Sequence, residues 1–163
     1  MNNNSLTNKI VKSALIAGLY ALLTLILQPI SYGPVQFRLS EMLILIVFIN
    51  SNYIVGLTVG CLISNFFGGF GLLDMIFGTL ATFLSLVCIS LTAKKINGLK
   101  GLIIASLWPT IINGLIIGIM LNYVANVPLF LTISQVAIGE FVVLTIIGIP
   151  IFRKVLPRLK KVL

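Results

Sequence analysis

The chain carries three acids, Glu41, Asp74 and Glu140, and no histidine. Glu41 stands in "QFRLSEML", Asp74 ends "FFGGFGLLD", and Glu140 lies inside a long apolar run. An ionised carboxylate accepts hydrogen bonds and donates none, so a cavity lined by three of them favours a solute with an ammonium group or several N–H donors. Asn65 can add both donor and acceptor atoms, and Arg38 stands three residues before Glu41, on the same face of any helix that includes both.

Each of these residues has a plainer use as well. Glu41 could pair with Arg38 at an interface, Asp74 could cap a helix, and Asn65 could satisfy a loop carbonyl. Glu140 has no such explanation. A carboxylate on an isolated helix in the bilayer costs about 2.5 to 3.5 kcal/mol on insertion scales, so Glu140 should face protein or water. Trp108, Phe37, Phe67, Phe70 and Phe77 fall at depths where a ring can wall a flat heterocycle, although ordinary packing accounts for any one phenylalanine equally well.

Catalysis finds little to work with. The helical serines and threonines have no histidine as a base, and such residues commonly bond their own backbone. Without a histidine or a ligand cluster there is no expectation of a metal, and none of a cofactor. Cys61 and Cys88 lie in apolar runs without CxxC spacing, which points to packing rather than a disulfide. "FFGGFG" lacks the lysine and threonine of a phosphate loop, so any ATP used in transport must be bound by another subunit.

The elements that must position these residues are membrane helices. Of 163 residues, 59% are hydrophobic and only 9% charged, more apolar surface than a soluble domain of this size can hide. The formal charge of +8 does not imply nucleic acid, because the basic residues cluster in short segments beside apolar runs. Period-two alternation is absent over most segments, which argues against a β-barrel, and no internal repeat is visible.

A spanning helix needs about 20 apolar residues. Six segments approach this, at about 10–27, 39–50, 53–66, 72–93, 99–120 and 131–152, giving one all-α transmembrane domain over 1–163. The second is too short to cross upright unless the polar "NSN" turn dips inward or the helix starts earlier. Pro109 should kink the fifth or open a turn of it. The polar start, "MNNNSLTNKIVKSAL", reads as the beginning of a retained first helix rather than a cleaved signal.

With the N-terminus inside, six crossings put Lys9, Lys12, Lys94, Lys95, Lys100 and the basic tail "RKVLPRLKKVL" inside, and Arg38 alone outside. Both termini are then cytoplasmic. The first helix also carries two rows of small residues that would admit a close neighbour, Ala14 with Gly18, and Ala17 with Ala21. Either row could serve a partner subunit or the bundle itself.

The order "VQFRLSEML", "GLTVGCLISNFFGGFGLLDMIFGTLAT", "LWPTIINGLIIG" resembles the QueT-type family, across most of the chain. That resemblance implies a six-helix substrate-binding S component of an energy-coupling factor transporter. Such a subunit docks through small residues of helix one onto a transmembrane coupling protein, the T component, with two cytoplasmic ATPases. The implied solute is a queuosine precursor such as 7-aminomethyl-7-deazaguanine, a guanine-like ring with a cationic aminomethyl group. Glu41, Asp74, Glu140, Asn65 and Asn113 would meet its donors and cation, Trp108 would stack on it or wall it, and Arg38 would orient Glu41 or close the gate. Gly68, Gly69 and Gly71 would let the link between helices three and four close over the solute.

Two other classes remain open on the residues alone. One is an independent small secondary transporter or channel in which the acids carry protons or cations. The other is a structural or regulatory membrane protein with no small ligand.

Overall fold

The computed structural model describes residues 3–33 and 35–162, with side chains described for 6–33 and 35–159. Pro34 of the "SYGP" link and the side chains of Lys160 and Lys161 lie outside the described residues. Within them the chain is all-helical, without strands. The principal helices are α1 (Asn3–Ile26), α2 (Leu39–Phe48), α3 (Ile54–Phe66), α4 (Asp74–Lys95), α5 (Gly98–Ala125) and α6 (Leu129–Leu159).

Four of these, α1, α4, α5 and α6, are long and apolar enough to cross a membrane. Apolar side chains cover their outer faces: Leu15, Ile76 and Phe130 are 72%, 55% and 84% exposed. Water does not tolerate so continuous an apolar surface, whereas lipid does. The chain is a multi-pass membrane protein.

Helices α2 and α3 are shorter. The ten residues of α2 wind as a 3₁₀ helix, whose rise of about 2.0 Å per residue stretches them over roughly 20 Å instead of the roughly 15 Å of an α-helix. Three residues per turn stack Glu41, Ile44 and Val47 in one fully buried row. The strand-like economy of length works because α2 is central, packed against α1, α3, α4, α5 and α6. Around it gathers the larger apolar core, including Tyr20, Leu45, Leu57, Leu86, Ile89 and Leu144.

Two helices change pitch. α4 opens with a π-helical turn, Asp74–Gly78, and α6 widens to π geometry over Phe141–Gly148, where the Ile149 N–H reaches back to the Leu144 carbonyl. Proline has no N–H to give and its ring crowds the carbonyl four residues earlier, so the wide turns sit directly before Pro150. Pro109, by contrast, lies within an uninterrupted α5.

One end of the bundle is basic. Lys9 of α1 lies beside Asn52 at the start of α3, and the end of α2 meets the start of α5 and the last turns of α6 around Arg153. Tyr32 and Gln36, Phe70 of the glycine-rich link before α4, and Val127 of the turn after α5 line one cavity at the opposite end.

Candidate solute-binding site

Toward that second end the bundle buries a polar cluster. Glu41 is fully buried, and its Oε1 accepts hydrogen bonds from the Tyr20 hydroxyl of α1 and from Thr82 Oγ1 of α4 at 3.3 Å. Asn113 of α5 donates to Glu140 Oε1 of α6 at 2.6 Å. Glu140 lies within electrostatic reach of both Glu41 and Arg38, so the two acids and the arginine belong to one polar cluster. Asn65 Nδ2 bonds Cys61 Sγ at 3.2 Å, and Cys61 in turn reaches Thr82.

Arg38 does not fold onto Glu41 as a simple surface pair. Its Nε donates to the Ser31 carbonyl at 3.4 Å, and its guanidinium carbon lies 5.3 Å from the centre of the Tyr32 ring. Burial explains the choice, since a cation at 4% exposure gains from an aromatic face and a backbone carbonyl that water cannot reach.

What remains unpaired is informative. Among the described residues, Glu41 Oε2, Glu140 Oε2, Asn65 Oδ1 and Asn113 Oδ1 are buried acceptors without a hydrogen-bond partner, Arg38 Nη2 is a buried donor without one, and the Ser31, Thr79 and Thr110 hydroxyls, which can do either, are also unpaired. Leaving such atoms unpaired costs about 1 to 3 kcal/mol each, more for charged groups. Their balance suits a solute rich in N–H donors that also offers one acceptor.

Asp74 does something else. Its Oδ2 accepts the Phe70 N–H at 3.0 Å, and a Cβ on Gly68 would come within 2.5 Å of that oxygen. The carboxylate therefore ties down the glycine-rich link, as a cap would. Gly71 supplies the turn's positive φ of 59°, whereas Gly69 faces open space. Trp108 also stands apart from the acids: its indole N–H donates to Thr92 at 2.9 Å. Thr92 is ten residues beyond Thr82 on α4, about 15 Å toward the basic end, so the indole does not wall this cluster.

Tyr32, Val35 and Gln36 roof the site. The Tyr32 hydroxyl donates to the Ser64 carbonyl at 2.5 Å, and the Val35 and Gln36 carbonyls press on Gly139, where any Cβ would overlap them. Gln36 takes φ 49° to make that contact, next to Glu140. Under the roof lies a cavity of about 200 Å³ whose lining includes Tyr32, Gln36, Phe70, Thr132 and Gln135; Glu41, Asn65, Asn113 and Glu140 do not line it.

Tyr20, Tyr32, Gln36 and Thr82 were not singled out by their sequence context. A weak signal existed for Tyr20, because Ser13, Ala17, Tyr20 and Thr24 recur at helical spacing and mark an inward face. The two rows of small residues on α1 separate cleanly. Ala17 and Ala21 are buried, with Gly60 of α3 so close that a Cβ there would lie 2.6 Å from the Ala17 carbonyl. Ala14 and Gly18 are exposed, and nothing lies within 4 Å of a Cβ built on Gly18. Among the described residues no group of three potential metal ligands gathers.

The family model described as QueT transporter matches residues 10–157. The chain belongs to the QueT transporter family. A relative in Lactococcus lactis subsp. cremoris (strain MG1363), the queuosine precursor transporter QueT, is 41% identical over 147 residues, covering 84% of this chain and 86% of the relative. No solved structure matches the chain significantly. The matched span takes in all six principal helices of this family member, from within α1 to within the last turns of α6.

Proposed function

We propose that the chain is the solute-binding S component of an ATP-driven energy-coupling factor importer, with 7-aminomethyl-7-deazaguanine or a related deazapurine as its solute. What carries this is the balance of unpaired atoms in the buried cluster: four acceptors and one guanidinium donor. A guanine-like edge offers a ring N–H and an amine to acceptors and a carbonyl to a donor, while an aminomethyl cation seeks a carboxylate. Glu140 and Glu41 supply the two carboxylate oxygens, Asn65 and Asn113 the amide oxygens, and Arg38 the donor. The name of the Lactococcus relative points to the same class of solute.

The topology we assign is six crossings, with α2 and α3 completing the set inside one domain, both termini cytoplasmic and the roof of Tyr32, Val35 and Gln36 outside. The basic end then follows the positive-inside pattern. Asp74 with Gly68, Gly69 and Gly71 forms the second movable edge of the site, and Ala14 with Gly18 is the face for the T component, whose two ATPase partners hydrolyse ATP.

Uptake separates this from an independent transporter. Proteoliposomes with the chain alone, given an ion gradient and no ATP, are expected to bind the solute without accumulating it. Accumulation should require the coupling protein, both ATPases and internal ATP. Gradient-driven accumulation by the chain alone would contradict the assignment.

A further inference from the structure

At the basic end, between the last turn of α2, the start of α5 and the last turns of α6, lies a cavity of about 510 Å³. Its walls are mainly apolar, with Phe48, Leu99, Leu102, Phe152 and Leu156, and Asn97 and Arg153 stand among them. The final stretch of α6 is two-faced. Phe152, Leu156 and Leu159 pack toward the core, while Arg153, Lys154 and Arg158 are exposed. Lys94 and Lys95 end α4 and Lys100 lies in the first turn of α5, and the chain's three acids are all buried elsewhere. The rim therefore carries cations without local acids to neutralise them.

We propose that this cavity is a binding site for an anionic phospholipid, with the phosphate at Arg153 and an acyl chain against Phe48, Leu102 and Phe152. The proposal does not rest on the solute assignment. Both halves of the site match an amphiphile: the cations pair with a headgroup phosphate, and the apolar walls take hydrocarbon. Its place at the ends of apolar spans is the depth at which headgroups lie, and basic pockets between helices there select anionic lipid. An acidic protein segment would match the cations, but it would leave the apolar walls of Phe48, Leu102 and Phe152 without hydrocarbon to cover them.

The test uses full-length protein reconstituted in vesicles of equal parts phosphatidylcholine and phosphatidylglycerol, then extracted gently for native mass spectrometry of retained lipid. Wild type is expected to retain phosphatidylglycerol several-fold over phosphatidylcholine. Arg153→Gln, an exposed position, should lower that enrichment about fivefold, the effect of removing one cation near an anionic lipid surface. Leu99→Trp, at the partly open mouth, should abolish retention by filling the cavity while a thermal melt shows the fold intact. Lys9→Gln, at the same end but outside the cavity, should leave enrichment unchanged. Equal retention of the two lipids, wild-type enrichment in both cavity variants, or an equal loss in Lys9→Gln would each overturn the proposal. So would full displacement of the lipid by inorganic phosphate or by an added partner protein.

Discussion

Asn113 Nδ2 donates to Glu140 Oε1 at 2.6 Å, joining α5 to α6, and leaves the second oxygen of the carboxylate and the amide oxygen both buried without a partner. The bond fixes where Glu140 points, so its free oxygen is presented in a set direction rather than sampled among rotamers. A preorganised acceptor of this kind gives up little freedom when a donor arrives.

Glu140→Gln keeps the shape and the possibility of bonding Asn113 but removes the charge. A hydrogen bond to a charged group is worth about 1.5 to 3 kcal/mol, so affinity for 7-aminomethyl-7-deazaguanine should fall roughly 10- to 100-fold. Membrane insertion should be unchanged. Calorimetry on purified variant protein checks this, and unaltered affinity would remove Glu140 from the site.

Tyr20→Phe deletes the hydroxyl that donates to Glu41 while preserving the ring in the core. The carboxylate is left with Thr82 as its donor, and thermal stability should drop by about 1 to 3 kcal/mol. Solute affinity should fall as well, because a less firmly held Glu41 must be ordered on binding. A melt and a titration on the same preparation measure both, and a variant as stable as wild type would show that the bond holds nothing in place.

The two glycines Gly60 and Gly18 should behave oppositely. Gly60→Leu forces a side chain into the α1 backbone at Ala17 and is expected to prevent stable folding. Gly18→Leu meets open space. It should leave solute affinity within about twofold and lower ATP-driven uptake about tenfold by holding a partner helix away. Normal uptake by Gly18→Leu with all partners present would move the docking face elsewhere.

Trp108→Phe tests the converse expectation. The indole is committed to Thr92, toward the basic end, so its loss should change solute affinity by no more than about twofold and cost about 1 kcal/mol of stability. A large loss of binding without loss of stability would bring Trp108 back to the solute.

Helical class and membrane setting were legible because they rest on composition and on the spacing of polar residues, which lipid dictates directly. The winding of α2 was not. A short apolar run looks too short to cross, and only packing on five neighbours lets ten residues stretch into a 3₁₀ helix. The cost of burying charge drew attention to Glu140, and the nearby Arg38 to Glu41, but the partners of both acids are tertiary. Asn113 is 27 residues from Glu140, and Tyr20 and Thr82 are 21 and 41 from Glu41, beyond any local pattern. Trp108 was assigned to the acids by depth alone, and helical depth does not say which neighbour a side chain meets. The rows on α1 could not be ranked for a similar reason, since the glycine that admits Ala17, Gly60, belongs to α3.

The most direct test of the central claim is titration calorimetry of detergent-purified protein with 7-aminomethyl-7-deazaguanine, beside guanine and the nitrile analogue. Saturable binding, tightest for the amine because only it brings a cation to the buried carboxylates, is the predicted result. Absence of binding by protein that a thermal melt shows to be folded, or equal affinity for all three compounds, would contradict the assignment of Glu140 and Glu41 to a cationic deazapurine.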